Sequence, residues 1–393
     1  MRVTLVAETF SPAVNGVVNS VIRVAGALAA RGHEPVVVAP SGEPFRTRDG
    51  HLVDVVRVPA IGVPGYRGLR VARPGVDLRP VLRELRPDVV HLASPAVLGW
   101  SAVRAAAELD IASVAVFQTD LSGFLRRYHL RALTPALWAS LRRLHNSADL
   151  TLVPSSTTGY HLRRHGVSTL ELWARGVDGT LFHPARRDER LRAEFTGGEL
   201  GATVVGFVGR LAAEKRVAAL APLTRLPGVR VVVVGDGPRR RALEKLMPDA
   251  RFLGLRTGTD LGRIVASLDL LVHPGVDETF CQVVQEALCA GVPVVTAAAG
   301  GPLDLVRHGE NGWLWAGRDP AVLAAQVAAI RADRAALAAA RERARPSVVW
   351  QTWDAVADQL VEHYARVLAA RASGTPVVAL KPARLARLRR RAS

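Results

Sequence analysis

The first 39 residues decide the fold class, and they read MRVTLVAETFSPAVNGVVNSVIRVAGALAARGHEPVVVA. Arg2–Ala7 is a short strand-like run, the helical pattern Val17–Arg31 follows it, and Pro35–Ala39 is a second strand-like run. Gly32, directly after the helical pattern, stands where glycine ends a helix before the next strand. A strand, a helix and a strand in this order predict a βαβ unit with parallel strands.

The same alternation runs through most of the chain. Further strand-like runs are Asp54–Val58, Asp88–Leu92, Ser113–Phe117 and Leu150–Val153, then Val204–Val208, Val229–Val234, Arg251–Leu253, Leu270–His273 and Val292–Thr296. Helical patterns such as Val76–Leu85 and Ala96–Leu109 separate them. We therefore predict an α/β protein with two doubly wound, Rossmann-like domains, whose ligands bind in a cleft at the carboxyl ends of both sheets.

The domain limits follow from changes in composition. Residues 1–180 form the first predicted domain and residues 181–349 the second, with Phe182–Gly201 as a Pro- and Gly-containing linker around a short helix. Trp350–Ala370 has helical spacing and is expected to be the last helix. Residues 372–393 carry six basic and no acidic side chains, which predicts a flexible basic tail.

Charge is the strongest feature of the composition. Lys and Arg number 52 against 35 Asp and Glu, a net charge of +17, while 49% of the residues are apolar. The apolar share excludes a disordered polycation, and the basic excess requires an acidic partner: nucleic acid, a membrane surface or a phosphorylated substrate. Nucleic-acid binding rests on charge alone, because no helix-turn-helix, zinc or aromatic-strand signature accompanies it.

Cysteine content and hydropathy bound the class further. Cys281 and Cys289 stand eight positions apart, about 12 Å if they share a helix, so we expect free thiols rather than a disulfide. Two cysteines without paired histidines make a structural zinc site improbable. No apolar run approaches a membrane-spanning length, and no basic leader precedes Val3, so a cytoplasmic protein is expected.

Two candidate phosphate sites follow predicted strands. Gly16 ends a loop before the first helix, where a ligand can approach the backbone, although glycine there also serves turn geometry. Arg210 and Lys215 follow the strand that ends at Val208, where we expect the next helix to begin. A planar guanidinium and a compact ammonium, five positions apart, suit one diphosphate. The alternative is a solvated turn in which Glu214 pairs with a neighbour.

The most specific segment runs from His273 to Glu286 and reads HPGVDETFCQVVQE. Glu278 stands where we expect a helix to begin, and Glu286 lies eight residues further on, about 12 Å along that helix. This span suits a nucleotide sugar, with one carboxylate at the hexose and the other at the ribose. The alternative is that Glu278 only caps the helix and that Glu286 lies on the surface.

These segments resemble the retaining family 4 glycosyltransferases, which have the GT-B architecture. The resemblance covers residues 1–370, and its motifs are the Pro12–Gly16 loop, Gly209-Arg210-Leu211 with Glu214-Lys215, Gly235-Asp236-Gly237-Pro238, Glu278-x7-Glu286, Gly291–Val295 and Gly300-Gly301-Pro302. Within the family, the sequence is most similar to actinobacterial GDP-mannose-dependent α-mannosyltransferases acting on lipids. Sulfolipid synthases, which use a UDP-sugar, are similar too.

The resemblance implies a role for each candidate residue of the donor site. Arg210 and Lys215 hold the donor diphosphate without a metal ion or other cofactor, Glu278 contacts the transferred sugar, and Glu286 contacts the ribose. The backbone amides of Phe280 and Cys281 face the sugar, and Gly16 admits the distal phosphate. Retention is attributed to attack on the same face, with the leaving phosphate helping to deprotonate the acceptor. The last helix is expected to return to the first domain.

One position departs from the family pattern. Many members have a histidine after the strand that corresponds to Ser113–Phe117, whereas this chain has Gln118, Thr119 and Asp120. The resemblance implies that Asp120 orients the acceptor or a sugar hydroxyl. The alternative is that Asp120 caps the following helix. The segments 124–131 and 137–144 mix Arg, Leu and Trp, which suits helices lying on anionic lipid and equally suits ordinary helices with a basic face.

The resemblance favours a retaining transferase that moves a hexose, foremost mannose from GDP-mannose, to a lipid acceptor such as a phosphatidylinositol mannoside or a glycolipid. The enzyme is then expected at the inner face of the plasma membrane as a peripheral protein that binds anionic lipid and no nucleic acid. A UDP-sugar donor of the glucosyl or sulfoquinovosyl type, and a soluble sugar or inositol phosphate as acceptor, stay open. The oligomeric state also stays open. Alternatives from other functional classes are an epimerase, a phosphorylase and a nucleic-acid-binding protein.

Overall fold

The computed structural model describes residues 1–12, 16–47, 49–62, 70–93, 95–119, 132 and 134–377. Contacts divide the chain into two compact units. The first unit contains residues 1–174 and the helix Trp353–Ser373, and the second contains residues 175–352. The segment Phe182–Gly201 includes the predicted short helix, Glu189–Thr196, and lies inside the second unit rather than between the two.

The first unit is built on one twisted sheet. Its strands are β1 Arg2–Val6, β2 Glu34–Ala39, β3 Phe45–Arg46, β4 Leu52–Arg57, β7 Val89–Leu92, β8 Ala112–Val116, β9 Leu150–Val153 and β10 Leu170–Leu172, with a separate hairpin of β5 Ala60–Gly62 and β6 Arg70–Ala72. The order is β10-β9-β8-β7-β1-β2-β4-β3, and every neighbouring pair is parallel except β3 and β4. The predicted parallel α/β architecture is confirmed here.

Helices cover both faces of this sheet, and their bounds are Gly16–Ala30, Arg79–Leu85, Val97–Glu108, Thr134–Ser147, Ser156–Arg164 and Trp353–Ser373. Successive strand residues point to opposite faces. Leu5 therefore packs with Val24 and Tyr364 on one face, while Val6 packs with Val103 on the other. Because both faces are buried, the strands read as continuous apolar runs rather than as alternating ones.

The second unit contains a six-stranded sheet with all neighbours parallel. Its strands are β11 Thr203–Val208, β12 Val229–Val234, β13 Arg251–Gly254, β14 Leu270–His273, β15 Val294–Ala297 and β16 Gly312–Trp315. The order β13-β12-β11-β14-β15-β16 is that of a doubly wound sheet. The direction of strand addition reverses between β11 and β14, and open α/β sheets bind ligands at the carboxyl ends of the strands at that point.

The α-helices of the second unit are Glu189–Thr196, Arg240–Leu246, Gly258–Ala266, Gln282–Cys289, Pro302–Leu305, Pro320–Ala332 and Arg334–Ala344. Its 3-10 helices are Pro184–Arg186, Ala213–Lys215, Val217–Arg225 and Arg345–Ser347. The strands predicted from the sequence agree with these bounds to within about two residues. β16 was not predicted, since a four-residue run that begins with a glycine carries little strand signal.

The last helix runs from Trp353 to Ser373 rather than from Trp350 to Ala370. It packs in the first unit, where the Tyr364 hydroxyl lies 2.7 Å from Nδ1 of the buried His91 and Trp173 Nε1 donates to the Val356 carbonyl at 2.8 Å. Residues 372 and 373, expected in the basic tail, are therefore helical, and residues 378–393 lie outside the described part of the chain. No helix in the described part is long and apolar enough to cross a membrane.

The helix Thr134–Ser147 bears on the predicted lipid contact. Its Leu141 and Leu144 are buried in the first unit, and the Trp138 ring stacks on the His165 ring at 3.7 Å between centroids. Because these apolar side chains are used inside the unit, the helix has the character of an ordinary domain helix with a basic outer face. The other predicted lipid-facing segment, residues 124–131, lies outside the described residues.

Candidate active site

Two loops meet at the reversal point of the second sheet. One follows β11 and carries Arg210 and Lys215, and the other follows β14 and carries Glu278. Since β11 and β14 are neighbours, both loops leave the same edge of the sheet. The Lys215 ammonium lies 2.5 Å from Glu278 Oε1, so two residues predicted separately to bind one ligand are in direct contact.

The loop after β11 is held by backbone contacts. Leu211 N donates to the Asp236 carbonyl at 2.9 Å, and Gly209 N donates to the Val234 carbonyl at the same distance. A side chain at Gly235 would place Cβ 2.0 Å from the Gly209 carbonyl oxygen, so only glycine allows this approach. Arg210 projects from the fixed loop with an exposed side chain and has no ion-pair partner among the described residues.

The α-helix expected to begin near Lys215 is not observed. Lys215 ends the 3-10 helix Ala213–Lys215, and Arg216 follows in the left-handed conformation with φ 52°. This tight turn directs the Lys215 side chain toward Glu278 and leaves it 24% exposed. The helix predicted after it is the 3-10 helix Val217–Arg225, which contains Pro222.

The expected helix start at Glu278 is also wrong. The helix begins at Gln282, with Cys281 as its N-cap residue. The physical reason lies in a neighbouring loop, because Gly301 N donates to the Glu278 carbonyl at 2.8 Å and so takes the acceptor that a helical turn would use. A side chain at Gly301 would place Cβ 2.3 Å from the Phe280 Cα, so the glycine pair Gly300-Gly301 shapes this extended segment.

Glu278 is the electrostatic centre of the site. Its side chain is 12% exposed, and Oε1 receives both Lys215 Nζ and, at 2.9 Å, His273 Nε2. Burial alone would raise the pKa of this carboxyl, but the His273 hydrogen bond and the Lys215 charge outweigh burial and lower it to about 2. For Lys215, burial lowers the ammonium pKa, and the carboxylate outweighs burial and raises that pKa above its usual value. Oε2 of Glu278 has no partner among the described residues.

Free backbone donors lie beside this carboxylate. The amides of Phe280 and Cys281 donate to no described residue. Cys281 adopts φ 76°, a conformation that non-glycine residues rarely take and that is often found at functional sites. Both cysteines are free thiols, as predicted, and both are buried. Burial raises the pKa of the Cys281 thiol well above its usual value.

One group of potential metal ligands occurs in the described part of the chain. Ligand atoms of His273, Glu278 and Cys281 lie within 4.8 Å of one another. Lys215 already places its ammonium on the same Glu278 oxygen, so an ion at these three atoms would have to displace a cation that belongs to the chain.

Glu286 lies on the helix Gln282–Cys289, as predicted, and its side chain is half-buried. Two glutamines anchor the helix to the backbone of residues 175 and 176. Gln282 Nε2 donates to the Gly176 carbonyl and Gln285 Nε2 donates to the Arg175 carbonyl, both at 2.9 Å. These bonds fix the rotation of the helix and with it the direction of Glu286.

The remaining predicted residues belong to the first unit. Gly16 begins the helix Gly16–Ala30, and a side chain added there would meet nothing within 4 Å, which leaves room for a ligand at the helix N-terminus. Residues 13–15 of its loop and Asp120 lie outside the described residues. Glu8, which no sequence motif indicates, follows β1 and accepts backbone hydrogen bonds from Ala96 and Gly99 at 2.6 and 2.8 Å.

The sequence pattern predicts no role for His273, and the structure places its imidazole against the Glu278 carboxylate. A polar residue that ends a strand at the carboxyl edge of a parallel sheet is the signal that would have identified it.

Curated relatives cover nearly the whole chain. Residues 14–180 match the model of Glycosyltransferase Family 4, and residues 202–333 match that of Glycosyl transferases group 1. A GDP-mannose-dependent alpha-mannosyltransferase of Corynebacterium glutamicum is 45% identical over 378 residues, which is 94% of this chain and 90% of the relative. One of the same name from Mycolicibacterium smegmatis is 45% identical over 375 residues, covering 94% of this chain and 99% of that one.

These matches show that the chain belongs to the family 4 glycosyltransferases and is a glycosyltransferase. Among solved structures, a sucrose-phosphate synthase from Thermosynechococcus elongatus superposes with a TM-score of 0.76 at 20% identity, over 94% of this chain and 99% of that one. The predicted fold class, two doubly wound α/β domains of the GT-B type, is confirmed by this likeness and by the two parallel sheets.

Proposed function

We propose that this protein transfers a mannosyl group from GDP-mannose with retention of configuration at the anomeric carbon. The relatives that match over more than nine-tenths of the chain carry that donor in their names. The observation that carries the proposal is the contact between Lys215 and Glu278 at the reversal point of the sheet. It brings together the residue proposed to bind the diphosphate and the residue proposed to bind the sugar.

Each residue of the site contributes one part of the proposed reaction. Lys215 and the exposed Arg210 neutralise the diphosphate as the bond between the anomeric carbon and the phosphate oxygen breaks. Oε2 of Glu278, which has no described partner, accepts a hydrogen bond from a mannose hydroxyl, and Glu286 accepts from the ribose. The acceptor hydroxyl attacks from the face that the phosphate leaves, and its proton passes to the departing phosphate oxygen. We propose that no metal ion takes part.

We also propose roles for two residues of the first unit, one toward the donor phosphate and one toward the acceptor. The helix start at Gly16 would receive the distal phosphate of the donor, and Asp120 would orient the incoming hydroxyl. We propose a lipid acceptor with a polyol headgroup, reached from an anionic membrane surface, for which the net charge of +17 provides attraction.

Calorimetric titration with GDP-mannose, GDP, UDP-glucose and UDP tests the donor. We expect GDP and GDP-mannose to bind, and Arg210→Ala and Lys215→Met to weaken both by at least about tenfold, because each removes a charge facing the diphosphate. Arg334→Ala is the matched control, since this exposed arginine begins the helix Arg334–Ala344, next to the start of β11 and away from its carboxyl end. Preference for UDP over GDP would overturn the donor assignment.

Labelled transfer tests the acceptor. GDP-mannose carrying radioactive mannose is incubated with vesicles of phosphatidylinositol and, separately, with soluble inositol phosphate. Label in the organic phase after extraction supports a lipid acceptor. Label confined to the water-soluble product contradicts the lipid acceptor and leaves the mannosyl donor in place.

A further inference from the structure

His273 is a buried titratable group to which the proposed reaction gives no task. It ends β14, its side chain is 2% exposed, and Nε2 lies 2.9 Å from Glu278 Oε1. The Phe207 ring lies nearly parallel to the imidazole, with 5.6 Å between centroids and 13° between planes. A strand and a stacked ring therefore fix this imidazole more firmly than a flexible side chain would be fixed.

The hydrogen bond defines the tautomer of His273. The Glu278 carboxylate is ionised beside Lys215 and can only accept, so Nε2 of His273 must carry a proton. Nδ1 is buried and has no partner among the described residues. A buried polar atom without a partner is unfavourable, so a histidine at this position is poorly explained by stability alone.

The two donors that reach Oε1 differ in stiffness. Lys215 holds its charge at the end of a flexible four-carbon chain and attracts the carboxylate without fixing its direction. His273 extends from a strand and determines where Oε1 lies. With Oε1 fixed, rotation of the carboxylate is restricted and Oε2 points to one place.

We propose that His273 is a positioning residue that holds the Glu278 carboxylate through Nε2, so that Oε2 is presented to a hydroxyl of the donor sugar. This inference rests on the proposed function, in which Glu278 contacts the transferred sugar. It predicts a separation of effects: loss of the His273 contact weakens recognition of the sugar and leaves recognition of the diphosphate and base unchanged.

Two amide variants separate this role from a structural one. In His273→Gln the amide nitrogen reaches the position of Nε2, whereas in His273→Asn it reaches only the position of Nδ1. We expect the Asn variant to raise KM for GDP-mannose by at least about tenfold, the typical effect of losing a hydrogen bond to a charged group. The Gln variant should stay within about threefold of wild type, and both should bind GDP as wild type does.

Nuclear magnetic resonance tests the contact without any substrate. A long-range proton–nitrogen spectrum of the wild-type protein should show His273 with a protonated Nε2 and a bare Nδ1, and Glu278→Gln should shift its nitrogen signals. A protonated Nδ1 with a bare Nε2 would overturn the proposal, and so would equal losses of sugar affinity in the Gln and Asn variants.

The outcomes separate the two proposals. If wild-type protein does not turn over GDP-mannose but shows the expected tautomer, the donor assignment fails. The titration then identifies a nucleotide sugar that does bind. For the Asn and Gln variants we compare the ratio of the affinity for this nucleotide sugar to the affinity for its nucleoside diphosphate. A ratio that falls only in the Asn variant supports His273 as a positioning residue, and a ratio unchanged in both overturns it. If the Asn variant unfolds, the Gln variant and the spectrum decide in the same way.

Discussion

Replacing Lys215 by methionine removes the cation from a largely buried carboxylate and keeps much of the side-chain volume. The Glu278 side chain is 12% exposed in the wild-type protein, and in the variant His273 would be its one remaining donor among the described residues. Removing one member of a buried ion pair leaves an uncompensated charge, which typically costs about 3–5 kcal/mol of folding free energy. Because Lys215 is itself 24% exposed and the histidine bond persists, we expect the lower end, about 3 kcal/mol.

That loss has a measurable thermal consequence and a clear control. For a unit of this size about 3 kcal/mol corresponds to a decrease of about 6–12 °C in Tm. Lys245→Met is the matched control, because Lys245 is exposed and makes no described ion pair, and we expect a change within about 0.5 kcal/mol. In the double variant Lys215→Met with Glu278→Gln, the carboxylate is gone and most of the loss should be restored.

Differential scanning calorimetry with and without GDP measures these shifts in Tm. The unfolding transition whose Tm rises when GDP is added identifies the unit that contains the site. The reasoning is refuted if Lys215→Met lowers Tm no more than Lys245→Met does. It is also refuted if Glu278→Gln leaves the effect of Lys215→Met unchanged, because the two residues would then not be energetically coupled.

Three further results are expected. Burial lowers the pKa of His91 to about 3 and of His145 to about 4. Below about pH 6.5 the histidines of the unfolded chain take up protons that the folded protein does not bind. The free energy of unfolding from urea titrations should therefore decrease as the pH is lowered, by up to about 1.4 kcal/mol per pH unit for each histidine. A flat profile down to pH 4 would contradict this. Cys281 and Cys289, buried with raised pKa values, should react with thiol reagents only after unfolding, so rapid labelling of the native protein would contradict the structure. Chelation by EDTA should leave mannosyl transfer intact, and activity lost to EDTA and restored by a divalent ion would overturn a metal-free mechanism.

Local pattern predicted the elements well where apolar runs were long. Val229–Val234 and Leu270–His273 were placed without error, because continuous buried strands bounded by glycine, proline or charge are recognisable in isolation. β10, Leu170–Leu172, was missed, since three residues of which one is exposed carry too weak a pattern. The helix start at Glu278 was misplaced because a distant glycine, Gly301, takes the carbonyl that a helix would need.

Chemical type and order of the site residues were already determined by the sequence: a guanidinium and an ammonium after one strand, two carboxylates eight residues apart after another, and thiols too far apart to bridge. Their meeting was decided only by the tertiary structure. Lys215 and Glu278 are 63 positions apart, and they touch because β11 and β14 are neighbours at the reversal point of the sheet. Strand order depends on how the helices pack on the two faces of the whole sheet, which no local window of sequence contains. For the same reason only the fold revealed that His273 holds the oxygen of Glu278 that Lys215 also binds.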